Sequence, residues 1–349
     1  MTYASWRAIQ ALRAAPTGTA DRDRQRRRTF TAALNQAEEL AVAASAVTYA
    51  VRPLLLFYSL SQAGRAIAAA HLKAKAELSG HGLSFTCDPI AILKSTLVPP
   101  GAQHARGAFQ DVATATGSLG LENPAELGAL WAGNPDLQHV PIPESGGEWP
   151  SVLSCDLGTR SESQRDTEVT TPGVVTSLLM LPGETGADLD RVIARYPTLA
   201  GARAVLNEFE VNRPAGADEL VGRVGPDSRG AVTVARECPM HMTMPEYWQF
   251  QDELYSSVEI ADTFPRWPDP HFVGIVQPAI GGGPSPSSLM LWWALLLGLS
   301  SLVRYYPAVW VRAIDLDESI LASPLRQVLD VAMERLPVRV LDALRDPQV

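Results

Sequence analysis

Residues 52–85, RPLLLFYSLSQAGRAIAAAHLKAKAELSGHGLSF, decide the fold class. Pro53 stands where a helix accepts proline, in a first turn whose N–H groups have no intrahelical acceptor. From there Leu54, Leu55, Tyr58, Ser61, Gln62, Arg65, Ala69 and Leu72 recur at spacings of three and four, while Leu56, Leu60, Ala63, Ile67 and Ala70 fill a second face. A helix that is apolar most of the way round is a buried one. Ala63, Gly64, Ala66 and Ala68 are small enough to let a neighbouring helix come close. The pattern predicts a helix over 53–79 that stops at Ser79-Gly80, since glycine adopts the left-handed conformation without strain. Arg65 is the exception on this helix. A buried charge is costly without a partner, so a carboxylate, a backbone carbonyl or a ligand is expected beside it.

A second apolar stretch, SSLMLWWALLLGLSSLVRYYPAVW at 287–310, reads as the packing partner of the first. Ser285 or Ser287 is its expected cap, and Pro307 is expected to end or kink it. Its run from Leu289 to Val303 falls short of the roughly 20 residues that span a bilayer, so it reads as a core helix.

Composition narrows the function classes. Hydrophobic residues are 46% of the 349 and charged residues 19%, which is globular rather than disordered. A net charge of −9 disfavours non-specific nucleic-acid or anionic-membrane binding. The basic run RDRQRRR at 22–28 reads as a cap on the start of the next helix. Cys87, Cys155 and Cys238 are isolated, with no CxxC or Cys/His spacing, so neither a disulfide framework nor a structural zinc is expected. The N-terminus lacks the charged-then-apolar pattern of a signal sequence, and a cytoplasmic protein is expected.

The rest of the chain reads as follows. Residues 3–14 form a short amphipathic helix, 15–28 a polar link, and 29–50 a helix that makes a hairpin with 53–79 around Arg52-Pro53. Gly107 to Val112 looks like a short strand, and Asn123 caps a short helix reaching Trp131. Residues 133–150 are loop. In 151–240, Val174 to Leu181, Arg203 to Val211 and Ala231 to Arg236 read as strands, with a short helix from Ala187 to Tyr196. A helix is expected at 245–257, a strand at Phe272 to Val276 and a flexible link at Gly281 to Pro284. Two helices, at about 317–333 and 337–345, close the chain, with Asp315, Asp317 and Glu318 as caps. The expected architecture is α+β and predominantly α-helical. A helical part over 1–84 packs with C-terminal helices over 281–349, and a mixed, β-containing region over 85–280 lies between them.

Motifs that carry chemistry are few. Arg65-Ala-Ile-Ala-Ala-Ala-His71 fits the Arg-x(4–6)-His pattern of HEPN-type, metal-independent ribonucleases. There the histidine acts as general base or orients the RNA 2′-hydroxyl, and the arginine stabilises phosphate charge. Such sites form at dimer interfaces, so this reading implies a homodimer. Against it, six positions turn a helix by about 600°, which leaves the two side chains some 120° apart. Arg236 to His241 and Arg266 to His271 match the same Arg-x(4–6)-His pattern in proline-rich loops. Gly281-Gly282-Gly283-Pro284 lacks the Lys-Ser/Thr of a phosphate loop. No G-x-S-x-G elbow and no HExxH occurs, and the histidines at 71, 81, 104, 139, 241 and 271 are scattered. No metal and no cofactor is expected.

Two segments read together, RPLLLFYSLSQAGRAIAAAH…HGLSF and LLLGLSSLVRYYPAVW, resemble the YaaC-like family of bacterial proteins. The shared pattern is an apolar helix leading to a basic residue and a His-Gly, a glycine-aromatic segment (here Gly107-Ala108-Phe109), and a terminal Arg-Tyr-x-Pro-x-x-Trp (here Arg304 to Trp310). The resemblance covers the N-terminal helices and the C-terminal helices, and 120–270 poorly. Arg65 stands where the family often carries lysine. The resemblance implies a soluble intracellular protein of no settled activity, linked to phage defence and nucleic-acid contexts. It also implies a cluster of Arg65, His81 and Arg304. Three such cations repel unless a carboxylate such as Asp88 or Asp111, or an anionic ligand such as a nucleotide phosphate, lies among them. The expected function is therefore the binding of a protein partner or an anionic ligand, with the ribonuclease built on Arg65 and His71 as the alternative. A purely structural subunit would instead expose an apolar patch, for which Trp248, Phe250, Phe264 and Trp267 are the candidates.

Overall fold

The computed structural model describes residues 3–73, 78–101, 107–159 and 273–345, with 174–178, 194–197, 203–212, 220–223, 231–234 and 242–252 between them. The chain is a predominantly helical α+β protein. It divides into two compact units, residues 1–152 with 277–349, and residues 153–276. The boundary thus falls after Val152 rather than at 84/85, because residues 85–152 pack with the helices.

The first unit holds α1 (Tyr3–Ala14), α2 (Gly18–Arg22), α3 (Arg24–Ala46), α4 (Arg52–His71), β1 (Ser84–Thr86), β2 (Thr96–Val98), α5 (Ala108–Ala115), β3 (Ala125–Glu126) and α6 (Leu127–Ala132). After the second unit come α7 (Ser288–Tyr305), α8 (Pro307–Ala313) and α9 (Ala322–Arg345). The three short strands form an antiparallel sheet in sequence order. Helix α7 has the length and hydropathy of a membrane span, yet 83% of it is buried inside the fold. It packs against α4, α5, α6, α8, α9 and β2.

Helices α4 and α7 meet where small residues allow it. A Cβ added to Gly64 would lie 2.4 Å from the Trp293 ring. Helix α6 comes equally close to α7, where a Cβ on Gly298 would lie 2.5 Å from Leu127. The buried side of α4 is the one carrying Leu56, Phe57, Leu60, Ala63, Gly64 and Ile67, and Arg65 lies on its half-buried side. The helix ends at His71 instead of Ser79, because its last carbonyls are taken by other groups. Thr19 donates to the oxygens of Ala69 (3.0 Å) and Ala70 (2.8 Å), and Arg26 donates to that of Leu72 (2.6 Å). The basic run therefore has two capping roles. Its Asp23 accepts from the Gln25 and Arg26 N–H groups at the start of α3, and its Arg26 closes the end of α4.

Other local expectations change for definite reasons. Residues 108–115 are helical, not a strand. Ala108, Phe109, Val112, Ala113 and Ala115 are buried at helical spacing, and the Ala108 and Phe109 N–H groups bond to the carbonyls of Gly80 and His81. Asn123 caps no helix, since β3 intervenes and α6 starts at Leu127. Residues 280–283 form an ordered turn, with Ile280 and Gly283 exchanging hydrogen bonds and Gly281 and Gly282 at φ of +60° and +76°. The chain resumes a helix at Pro307, and α9 runs through Pro337 without a break. The Asp315 carboxylate accepts from the Asp317 N–H in a turn rather than capping α9.

A buried charge pair joins both ends of this unit. Asp136, in the short 3-10 turn Pro135–Leu137, has a fully shielded side chain. It accepts from the Arg339 guanidinium at 2.6 and 3.0 Å and from the Trp292 indole N–H at 2.8 Å.

In the second unit, β4 (Leu153–Thr159), β5 (Val174–Leu178), β6 (Arg203–Asn212), β7 (Leu220–Arg223), β8 (Ala231–Val234), β9 (Met242–Asp252) and β10 (Val273–Val276) form an antiparallel sheet of order β10-β4-β5-β9-β6-β7-β8. The helix expected at 245–257 is strand β9, whose backbone pairs with β5 on one side and β6 on the other. Two-sided ladder pairing overrides the local preference. The helix expected over 187–196 lies largely outside the described residues, as do the pairs Arg236/His241 and Arg266/His271 and the side chains of Trp248, Phe250, Phe264 and Trp267. The unit's first and last residues are themselves a pair, Leu153 opposite Val276.

Two predictions follow from these contacts. Asp136→Ala leaves Arg339 and the Trp292 N–H without their acceptor and lowers stability by about 3–5 kcal/mol, read from the urea unfolding midpoint. A chain in which a short Gly-Ser linker replaces 153–276 keeps its helical circular dichroism and one cooperative transition. The reason is that the insertion's ends are already neighbours, and Val152 and Gln277 bond to the adjacent carbonyls of Ala132 and Gly133.

Candidate functional site

His81 follows Gly80 in the segment between α4 and β1. Gly82, at φ +81°, turns the chain, and a Cβ there would lie 2.2 Å from Gln110 Oε1. Gln110 Nε2 donates to the Gly82 carbonyl at 2.7 Å. A Cβ on Gly107 would lie 2.3 Å from Gly82 Cα. The His-Gly and the Gly107-Ala108-Phe109 segment are thus one packed unit, which fixes His81 against the edge of Phe57 (ring centroids 5.5 Å). Phe57 in turn meets Trp293 of α7 edge-on at 6.2 Å.

This places His81 beside the end of α7. A cleft of about 210 Å³ opens between His81, Leu83 and Phe85 on one wall and Leu297, Ser301, Arg304, Tyr305 and Tyr306 on the other. The Ser301 hydroxyl donates to the Leu297 carbonyl at 2.7 Å, so its oxygen keeps its acceptor capacity. The Arg304 guanidinium lies 4.9 Å from the centre of the Tyr305 ring. It makes no ion pair among the described residues, and its Nε is shielded from solvent with no hydrogen-bond partner there. Phe85 and Tyr306 meet at 6.3 Å. Partial burial, and secondly the charge of Arg304, hold the His81 pKa below its ordinary value.

Of the residues marked from the sequence, His81 and Arg304 come together and Arg65 does not join them in lining the cleft. The Arg65 guanidinium reaches the Leu78 carbonyl at 3.5 Å, the backbone partner its position calls for. His71 lies 3.1 Å from the Leu344 carbonyl at the end of α9. Neither Asp88 nor Asp111 lines the cleft. Asp88 accepts instead from the Ala91 and Ile90 N–H groups, which hold its carboxyl below the usual range. Among the described residues no three His, Cys, Asp or Glu side chains gather as a metal ion requires. Phe85, Ser301 and Tyr306 were not read as site residues. The sequence signal for two of them was adjacency, Phe85 to the His-Gly and Tyr306 to Arg304.

A family model described as YaaC-like protein matches residues 4–143. This region is similar to the YaaC-like family. The YaaC-like part runs from α1 to the 3-10 turn of Asp136 and includes His81 and Phe85, while Arg304 lies beyond it. No curated protein and no solved structure matches the chain.

The depressed His81 pKa has a stability consequence. The folded state binds the proton less readily than the unfolded chain, so stability falls as pH drops through the ordinary value of 6.5 and levels off below the folded pKa. His81→Gln removes this part of the pH–stability curve. Arg304→Ala raises the His81 pKa without restoring it fully, because burial is the larger cause. Proton NMR titration of the imidazole checks both.

Proposed function

We propose that this YaaC-like protein binds a small anionic ligand in the cleft between His81 and Arg304. One observation carries the reading. Among the described residues, a permanent cation and a titratable one share a cleft that no carboxylate lines, and Arg304 has no counter-charge. Such a pair is stabilised by an anion, which offsets the Arg304 charge that, second to burial, depresses His81. The aromatic walls lower the local dielectric and strengthen that attraction. The ribonuclease reading gains no comparable support, since Arg65 and His71 bond to carbonyls of different segments, Leu78 and Leu344.

Titration with inorganic phosphate tests the proposal. Phosphate raises the His81 pKa and shifts its imidazole signals. Arg304→Ala weakens binding about tenfold or more, the equivalent of losing one charge-assisted contact. Arg65→Ala leaves binding unchanged. Phosphate that perturbs residues elsewhere but not His81 sinks the proposal.

A further inference from the structure

The walls of the cleft differ in chemistry, and that difference identifies a ligand class. We infer that the cleft takes a free nucleoside monophosphate, with the phosphate between Arg304 and His81 and the flat base against Phe85 and Tyr306. The inference rests on the anion reading above and goes further than it.

Three observations support it. First, the polar groups are a guanidinium fork and an imidazole on opposite walls. A phosphate presents enough oxygens to meet both at once, where a carboxylate has only two to share. Second, the aromatic side is open. Tyr305 is 66% and Tyr306 39% exposed, although each is a large ring beside the cleft. Aromatic surface left in water next to a cation is the kind of platform on which a base stacks. Third, the size is limiting. At about 210 Å³ the cleft is below the roughly 300–1,000 Å³ of sites that engulf a drug-sized ligand. It holds a phosphate and one face of a ring, with the rest of a mononucleotide in solvent. A long nucleic acid is disfavoured by the net charge of −9.

Isothermal titration calorimetry of the full chain with AMP, inorganic phosphate, adenosine and a 5′-phosphorylated hexa-adenylate tests this. AMP is expected to bind about tenfold tighter than inorganic phosphate, the equivalent of one stacked base, and tighter than adenosine. Tyr306→Leu and Phe85→Leu, each checked for folding by circular dichroism, bring AMP down to the affinity of inorganic phosphate. If neither variant folds, the ratio of AMP to phosphate affinity in the native chain decides. Equal affinities for AMP and phosphate overturn the nucleotide assignment and leave the anion reading standing. Binding of no phosphate compound, or binding indifferent to Arg304→Ala, overturns both. A hexa-adenylate that binds tighter than AMP overturns the free mononucleotide in favour of a strand end.

Discussion

The constraint on which the first unit depends is the burial of α7 on every side. From Ser288 to Leu302 each of its residues is buried. A helix of that kind has no solvent face, so elements from both ends of the chain must cover it. Covering it creates polar obligations in turn. The Trp292 indole N–H, shielded from water, needs an acceptor and finds Asp136. The Asp136 carboxylate, equally shielded, needs a cation and finds Arg339 of α9. Each group is tolerable inside only because the next one is there, which is how a hydrophobic helix fixes the position of a distant loop and of the last helix.

The same helix explains where the cleft lies. Its burial stops in the last turn, where Val303 and Arg304 are half-buried and Tyr305 is exposed. The close approach of α4 at Gly64 and Trp293 brings Phe57 alongside, and Phe57 holds His81. The cleft is therefore the place where the cover over α7 ends. Its cation is at an edge, where a charged side chain can keep one side in water while its Nε is screened. The Trp310 indole N–H, bonded to the Tyr49 and Ala50 carbonyls, secures the chain just past the cleft to the α3–α4 corner. In the Arg-Tyr-x-Pro-x-x-Trp run, Trp310 thus holds the position that Arg304 uses.

Long apolar helices were legible in the sequence because their pattern repeats over several turns. Helices α4 and α7, their small-residue contact and the strand-rich middle all follow from periodicity and breakers. Short segments were not, because there the pattern is ambiguous and distant pairing decides. Residues 108–115 have too few apolar positions to distinguish strand from helix, and the carbonyls of Gly80 and His81 settle it by occupying the first N–H groups. Pro337 reads as a helix break, yet α9 accommodates it. The site divides in the same way. His81 and Arg304 were recognisable as residue types, but their meeting depends on how two helices pack. Arg65 shares its helix face with Leu55, Tyr58 and Gln62, and that face is half-buried rather than core, so a backbone carbonyl is partner enough.

The second unit bears on the cleft through the chain's path. One wall, residues 81–85, comes before the insertion and the other, 297–306, comes after it. An insertion whose ends lay far apart would pull the two walls in different directions. Here Leu153 and Val276 are cross-strand partners, and the residues just outside them bond to the neighbouring carbonyls of Ala132 and Gly133. The chain thus leaves and re-enters the helical unit at one point, close in sequence to the Asp136 turn that anchors α7 and α9. The cleft itself is lined by the 81–85 segment, which Phe57 of α4 and the start of α5 hold, and by residues at the end of α7.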